Sequence, residues 1–326
     1  MTPHQNTLHS SADGKSEAGR VADARPGNWV DQYAPAWMRP YLRLARFDRP
    51  IGSWLLLFPC WWSLALAAVH AKAAYPSPWL ALLFLIGAFA MRGAGCTWND
   101  IVDRDYDAGV ARTRSRPIPS GQVSVRQALT FMALLLLVGL AVLVQLNAFT
   151  IGLALSSLGL VAIYPFMKRY TFWPQVVLGL TFKWGALVGW AAAEGSLGWA
   201  PIMLYAGCVL WTIGYDTIYA HQDKEDDLAM GLKSTAIKFG DASHMWIAGF
   251  YVGAILLWSA AAWLAGAGLV TAVGLVVIAA QLTWQVATLD TQSPDGCLHR
   301  FKSNRFVGWI FTTTLVLDAV TRLAFA

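Results

Sequence analysis

The sequence predicts an all-α integral membrane protein with about nine transmembrane helices. Three observations lead to this prediction. The 326 residues are 56% hydrophobic and only 13% charged, which is far more apolar than a soluble domain. The apolar residues are gathered in long stretches. The basic residues are gathered in alternate connections between those stretches.

A window of about 19 residues finds about nine stretches that are long enough to cross a bilayer. They lie near residues 50–69, 78–98, 127–144, 148–164, 172–192, 199–218, 244–264, 269–288 and 306–325. Before them, Trp37–Arg49 predicts an interfacial amphipathic helix with Trp37, Tyr41 and Leu44 against lipid and its arginines towards headgroups. Residues 1–36 are polar and predict a disordered tail, whereas residues 37–326 predict a single polytopic domain.

Charge placement predicts the orientation of the chain. Twenty of the 24 Lys and Arg residues fall in the amino-terminal stretch or in alternate loops, and such residues stay in cytoplasmic loops. We therefore expect a cytoplasmic amino terminus and an external carboxyl terminus. The tail lacks the apolar segment of a signal peptide, and its acidic residues disfavour a mitochondrial transit peptide. These observations predict a bacterial inner membrane, with the mitochondrial inner membrane as the less favoured alternative.

The remaining charge and the cysteines exclude other classes of function. The net charge of +5 is spread over topological loops, so it does not indicate a nucleic-acid-binding protein. The four cysteines are isolated, which supports neither disulfides nor a zinc site.

Two acidic clusters at the ends of spans hold nine of the nineteen Asp and Glu residues. They are Asn99–Asp107 (NDIVDRDYD) and Asp216–Asp227 (DTIYAHQDKEDD). If each span continues as a helix, one face of each carries a stripe of oxygen-bearing side chains. The stripes are Asn99, Asp103 and Asp107 in the first cluster, and Asp216, Tyr219, Asp223 and Asp227 in the second.

Crowded carboxylates need a cation, and Mg²⁺ that carries a diphosphate prefers oxygen ligands. Four predicted spans separate the two clusters, so they face the same compartment. The pattern predicts an enzyme that acts on a lipid diphosphate, with Asp103, Asp107, Asp216, Asp223 and Asp227 as candidate catalytic residues. Asp105, Glu225 and Asp226 lie off the stripes, and we expect them to be solvated.

Basic residues accompany the acidic clusters. Each cluster is followed by a basic loop, and Arg116 and Lys233 are the candidates there for binding phosphate oxygens. Arg92 and Lys183 lie inside apolar spans, where cations are costly and usually functional. Arg92 shares the face of Asn99 and either holds an anionic substrate group or pairs with an aspartate. Lys183 either binds substrate or has a structural role, by snorkelling or by packing on Trp184 through a cation–π contact.

Several of these stretches resemble the UbiA superfamily of intramembrane prenyltransferases, and its hydroxybenzoate branch in particular. The matching stretches are Arg46–Gly52 (RFDRPIG), Met91–Asp107 (MRGAGCTWNDIVDRDYD), Arg116–Gly121 (RPIPSG), Tyr164–Leu178 (YPFMKRYTFWPQVVL) and Asp216–Gly240 (DTIYAHQDKEDDLAMGLKSTAIKFG). The resemblance runs from about residue 37 to the carboxyl terminus. It implies a ring of nine helices around a central cavity, with a cytoplasmic-side active site and a lateral opening to lipid.

The resemblance also implies roles for single residues. Asn99, Asp103, Asp107, Asp223 and Asp227 would hold Mg²⁺ and the diphosphate. Lys168 and an arginine at Arg46 or Arg49 would contact the diphosphate, and Asp216 would lie beside the aromatic acceptor. Lys183 departs from the family pattern, in which a small or amide side chain is more usual.

The activity that the resemblance implies is Mg²⁺-dependent transfer of a polyprenyl group to 4-hydroxybenzoate, ortho to its hydroxyl, in ubiquinone biosynthesis. The implied partners are polyprenyl diphosphate, 4-hydroxybenzoate, membrane lipid and other quinone-biosynthesis enzymes. One alternative keeps the chemistry and changes the acceptor, to homogentisate or dihydroxynaphthoate for example. A second alternative is a cation or substrate transporter, but transporter sites lie near the membrane midplane rather than at span ends.

Overall fold

The computed structural model describes Ala24, residues 27–109 and residues 113–324. Most of the predicted tail at 1–36 therefore lies outside the described residues, as does Arg112 of the first basic loop. Within the described part of that tail, Trp29–Tyr33 form a short helix that is capped by the Asn28 side chain. Folded structure thus begins before residue 37.

The described part of the chain is built almost entirely from helices, which confirms the predicted fold class. Its α-helices are α1 (Trp29–Tyr33), α2 (Arg39–Leu44), α3 (Ile51–His70), α4 (Pro78–Val102), α5 (Arg104–Gly109), α6 (Val125–Leu143), α7 (Ala148–Ser156), α8 (Leu158–Ile163), α9 (Met167–Tyr170), α10 (Pro174–Phe182), α11 (Gly185–Glu194), α12 (Trp199–Ala220), α13 (Lys224–Ala229), α14 (Thr235–Phe239), α15 (Ser243–Leu264), α16 (Leu269–Ala287) and α17 (Pro294–Ala324). Short 3₁₀ turns lie at Tyr164–Phe166, His221–Asp223 and Gly240–Ala242.

Each predicted span coincides with helix. Seven helical stretches of the described chain are long and apolar enough to cross a membrane: Ile51–His70, Pro78–Val102, Val125–Leu143, Ala148–Tyr170, Pro174–Glu194, Thr235–Leu264 and Leu269–Ala287. The predicted spans 199–218 and 306–325 coincide with α12 and α17, which are outside this set of seven. α17 starts at Pro294 and so extends well beyond the apolar stretch that predicted it.

The segment Trp37–Arg49 matches the predicted interfacial helix only in part, since Trp37 is exposed but Tyr41 is half-buried against the ring of Phe131. Only Arg39–Leu44 are helical there, and Leu44 is buried. Arg43 is also buried, and its guanidinium lies 2.8 Å from the Asp31 carboxylate of α1. Arg43 and Leu44 thus pack against protein, and α1 supplies a carboxylate that the composition of the segment itself does not reveal.

A buried aromatic core joins α3, α12, α15 and α17. The ring of Trp62 lies 5.3 Å from that of Trp211 and 5.2 Å from that of Trp258, and all three side chains are fully buried. Trp211 Nε1 donates to Asn304 Oδ1 at 2.8 Å, so this indole has the polar partner that a buried indole needs. The core fixes α12 in place, and with it the start of the second acidic cluster.

Candidate active site

The first acidic cluster lies where α4 ends. Asp103 caps the helix, and α5 begins at the next residue. Asn99 Nδ2 donates to Asp103 Oδ2 at 3.1 Å, so these two side chains share one side of the helix end. Asp107 lies on α5 and its side chain is largely buried.

The second acidic cluster is bent rather than continuous. α12 ends at Ala220, and one 3₁₀ turn at His221–Asp223 redirects the chain into α13. The single helical stripe predicted from Asp216 to Asp227 is therefore interrupted. Asp216 stays on α12, while Asp223 and Asp227 are carried towards the first cluster.

The two clusters meet in one pocket of about 90 Å³. Its lining consists of Asn99, Asp103, Tyr106, Asp107, Thr113, Arg116, Pro165, Lys168, Arg169, Asp223, Asp226, Asp227, Met230 and Leu232. Carboxylates from the ends of α4 and α12 therefore face each other across basic side chains. Both span ends must lie on the same side of the membrane for this to happen, as the sequence predicts.

Arginines already neutralise part of the first cluster. Arg116 Nη1 lies 2.7 Å from Asp107 Oδ2, and Arg169 Nη2 lies 3.1 Å from Asp103 Oδ1. Even so, burial raises the pKa of both Asp103 and Asp107, and the opposing effects of Arg169 and Arg116 are smaller. The carboxylates are thus not fully compensated, and an additional cation in the pocket is favourable.

Arg116 also reaches a second carboxylate behind the pocket. Asp100 has no exposed surface, and its Oδ1 lies 2.6 Å from Arg46 Nη2 and 3.3 Å from Arg116 Nη1. Asp100 therefore ties the Arg46 loop to Arg116. Arg46 is engaged at this position, not at the pocket lining where the resemblance implies it.

Six further candidates also lie outside the pocket lining: Arg49, Arg92, Lys183, Asp216, Tyr219 and Lys233. Arg49 pairs with Asp48 at 3.1 Å, and Tyr219 packs on Phe301 with ring centroids 4.6 Å apart. Lys233 Nζ donates to the Tyr170 carbonyl at 3.3 Å. Its backbone N–H donates to the Lys168 carbonyl at 2.9 Å, so Lys233 supports Lys168 rather than facing the pocket itself.

Lys183 is a core residue. Its side chain is fully buried, and Nζ donates to the Leu55 carbonyl at 2.6 Å. The ammonium lies 4.6 Å from the ring centroid of Trp211 and 5.4 Å from that of Tyr215. Cation–π contacts and a carbonyl therefore give this lysine a structural environment, but its aromatic partners are Trp211 and Tyr215 rather than the predicted Trp184.

Sequence reasoning did not select Arg169, Tyr106 or Asp226, which all line the pocket. Arg169 directly follows Lys168. By sequence alone, a Lys-Arg pair in a loop cannot be distinguished from the positive charge that marks a cytoplasmic loop. The Arg169 guanidinium also lies 4.7 Å from the ring centroid of Tyr106, which orients it towards Asp103. The matched stretch YPFMKRYT contained this residue, so the resemblance was the signal that could have selected it.

The model of the UbiA prenyltransferase family matches residues 56–311. The chain belongs to the UbiA prenyltransferase family. It is therefore an intramembrane prenyltransferase.

Curated relatives within the family are similar over most of the chain. The mitochondrial 4-hydroxybenzoate polyprenyltransferase of Arabidopsis thaliana is 46% identical over 306 residues, which cover 94% of this chain and 74% of the relative. The Homo sapiens enzyme of the same name is 47% identical over 316 residues, covering 97% of this chain and 84% of the relative.

Solved structures share the fold. A UbiA homolog from Aeropyrum pernix K1 aligns with a TM-score of 0.68 and 25% identity, covering 81% of this chain and 97% of that one. A UbiA homolog from Archaeoglobus fulgidus bound to GPP and Mg²⁺ aligns with a TM-score of 0.63 and 19% identity, covering 86% of this chain and 99% of that one.

These relatives correct the predicted location. The expectation of a bacterial inner membrane is wrong, because relatives from plants, insects, nematodes and mammals are mitochondrial enzymes. The prediction relied on three acidic residues in the tail, Asp13, Glu17 and Asp23. Composition of so short a segment is a weak discriminator between compartments. The multi-pass membrane character of the chain is unaffected.

Proposed function

We propose that this protein transfers a polyprenyl group from polyprenyl diphosphate to 4-hydroxybenzoate, with Mg²⁺ as cofactor. The bond between prenyl C1 and the diphosphate oxygen breaks, and a carbon–carbon bond forms at the ring carbon ortho to the hydroxyl. That carbon loses its proton, and diphosphate leaves. The observation that carries the proposal is the meeting of both acidic clusters with Arg116, Lys168 and Arg169 in one pocket. The curated relatives support the acceptor and a mitochondrial membrane.

The donor set fits Mg²⁺. Asn99, Asp103, Asp107, Asp223 and Asp227 offer the hard oxygen atoms that this ion prefers. No three Asp, Glu, His or Cys side chains of the described chain form a ready-made cage. Mg²⁺ at phosphate sites is typically held by one or two carboxylates together with substrate oxygens, which suits this arrangement. When bound, the ion supplies charge neutralisation that turns the diphosphate into a leaving group.

The protein's own side chains bind and orient the substrates. Arg116, Arg169 and Lys168 line the pocket among the carboxylates and are available to take the remaining phosphate oxygens. The backbone N–H of Lys233 donates to the Lys168 carbonyl, which helps to fix the backbone of Lys168. Asp216 lies on α12, two turns before Asp223, within electrostatic range of Lys168 and Arg92. We infer that Asp216 lies beside the acceptor, deeper in the membrane than the diphosphate.

The test is an assay with the purified protein in proteoliposomes. Radiolabelled 4-hydroxybenzoate, a prenyl diphosphate and Mg²⁺ should give a lipid-soluble labelled product, and EDTA should abolish it. Homogentisate and dihydroxynaphthoate, assayed in parallel, test the alternative acceptors, and faster turnover of either would overturn the choice of 4-hydroxybenzoate. The transporter alternative requires uptake of label without prenyl diphosphate, and the position of the pocket at span ends disfavours it.

A further inference from the structure

Arg92 and the glycine that follows it by three residues lie on the face of α4 that leads to the pocket. Arg92, Gly95 and Asn99 occupy positions i, i+3 and i+7 of one continuous helix. The axial distance from Arg92 to Asn99 is about 10.5 Å at the standard helical rise. A benzoate with a para hydroxyl is shorter than this distance, so one end can reach Arg92 while the other approaches the metal-binding residues.

Among the described residues no carboxylate lies within ion-pair distance of Arg92, and Asp216 acts on it only at longer range. The Arg92 guanidinium lies 4.8 Å from the ring centroid of Phe182, and its Nε is buried with no hydrogen-bond partner in the described chain. A Cβ at Gly52 would come within 2.7 Å of Arg92 Nε and Nη2, so the missing side chain at Gly52 makes room for the guanidinium. A cation inside a membrane without a partner is costly. A substrate anion removes that cost.

Gly95 leaves open space beside this arginine. A Cβ at Gly95 would meet no atom within 4 Å, whereas a Cβ at its neighbour Gly93 would press on Leu135 and Ala45. Glycine weakens a helix relative to alanine, so the helix itself gains nothing from Gly95. The space lies on the face between Arg92 and Asn99. Asp216 of α12 and Tyr164 are both within electrostatic range of Arg92.

We propose that Arg92 and Gly95 form the specificity site for the acceptor: Arg92 binds its carboxylate, and Gly95 leaves room for its aromatic ring. The hydroxyl end of the acceptor then points along α4 towards Asn99 and the diphosphate. Phe182 and Gly52 are positioning residues that hold the guanidinium. This inference rests on the proposed function, and it names the groups that select an aromatic acid over an uncharged phenol.

The first test compares two acceptors that differ in charge. With 4-hydroxybenzoate, Arg92→Ala should raise the acceptor KM by more than about tenfold, because one partner of a buried ion pair is lost. With 4-hydroxybenzamide, which has the same shape and no charge, the KM should change by less than about threefold. Arg92→Lys should restore part of the preference for the acid. The KM for prenyl diphosphate should stay close to that of the unsubstituted protein in each variant.

The second test fills the space at Gly95. Gly95→Ala strengthens the helix, so any loss of acceptor turnover cannot come from weaker folding. Gly95→Leu should abolish acceptor turnover while Mg²⁺-dependent binding of radiolabelled geranyl diphosphate is retained. Gly249→Leu is the matched control, because Gly249 is exposed on α15 and a Cβ there also meets nothing within 4 Å.

The outcomes separate the two proposals. If the unsubstituted protein does not prenylate 4-hydroxybenzoate, the proposed function fails. If it does, but Arg92→Ala affects the acid and the amide equally, the assignment of Arg92 is wrong. Normal acceptor turnover in Gly95→Leu would overturn the assignment of Gly95.

Discussion

At the scale of single residues, the carboxylates of this protein divide into those that line the pocket and those that support it. Asp103 and Asp223 follow different helices, α4 and α12, and line the same pocket. Asp100 lies behind it, fully buried between Arg46 and Arg116. Asp105 is exposed, with a surface contact to Arg104. Adjacent residues of one motif therefore have different physical roles.

Removing a pocket carboxylate should abolish activity. We expect Asp103→Ala or Asp223→Ala to lower turnover by at least about a hundredfold, because each removes charge stabilisation at the leaving group. Asp105→Ala and Glu225→Ala are the controls, since both side chains are exposed. Initial rates in proteoliposomes at saturating Mg²⁺ measure the effect. A near-normal rate in either pocket variant would contradict the metal-binding assignment.

Asp100→Asn should weaken both stability and diphosphate binding. Breaking a buried ion pair by removing one charge costs about 3–5 kcal/mol. Arg116 would also lose one of its two carboxylate anchors, so the KM for prenyl diphosphate should rise while the acceptor KM does not. Thermal unfolding in detergent and initial rates measure the two effects. Asp105→Asn makes the same change at an exposed site and should alter neither; an equal effect of both variants would exclude a positioning role for Asp100.

The candidate site was predictable where the chemistry is local. The stripes of Asn99, Asp103 and Asp107 follow from helical periodicity, and all three residues line the pocket. Arg169 was not predictable in this way, because its role depends on contact with Asp103 across 66 positions of sequence. Arg46 and Lys233 were expected at the diphosphate, and their partners are Asp100 and the Tyr170 carbonyl. A basic residue's partner is set by tertiary structure, which periodicity does not contain.

At the scale of helices, the informative features are the interruptions. The predicted span 172–192 is divided into α10 and α11 at Lys183 and Trp184, without a proline at the break. Lys183 Nζ donates to the Leu55 carbonyl of α3 across the core. The apolar length of a span can be read from sequence, but this break cannot, because no proline marks it and the contact made there is with a distant helix. The same limit applies to the 3₁₀ turn that bends the second acidic cluster.

Lys183 should contribute to packing and not to acceptor binding. Lys183→Met keeps the volume and removes a buried charge, and such exchanges are often neutral or stabilising. We expect it to retain most activity with an unchanged acceptor KM. Lys183→Ala should leave a cavity and destabilise the fold by about 2–4 kcal/mol. Thermal unfolding and the acceptor KM measure these two effects. A large rise in the acceptor KM of Lys183→Met would contradict the structural role and indicate that Lys183 binds the acceptor.

At the scale of the whole molecule, the alternation of basic loops along the chain predicts which helix ends lie on the same side of the membrane. The pocket joins the ends of α4 and α12, which agrees with that prediction. Positive charge and apolar length thus specified the general arrangement of the chain. They did not specify the compartment. The predicted bacterial inner membrane is corrected by relatives that are mitochondrial enzymes.

The arrangement can be tested by cysteine labelling. All four native cysteines are buried, so background labelling should be low. Ser120→Cys and Asp241→Cys are exposed positions on the pocket side, and Ser196→Cys is exposed in an alternate loop. In sealed vesicles of one orientation, an impermeant maleimide reaches only one side of the membrane. It should therefore label either Ser120→Cys and Asp241→Cys, or Ser196→Cys, but not all three. Labelling of Ser120→Cys and Ser196→Cys from the same side would contradict the proposed topology.

The pairs Asp107–Arg116 and Asp103–Arg169 hold two guanidiniums against the pocket carboxylates. Each pair engages a single carboxylate oxygen, so the second oxygen of each aspartate can bind a metal ion without breaking the pair. A bound diphosphate would give both guanidiniums a second anionic partner and would offer its own oxygens to the same ion. We therefore expect prenyl diphosphate and Mg²⁺ each to raise the affinity of the pocket for the other, which a titration of Mg²⁺ with and without geranyl diphosphate would measure.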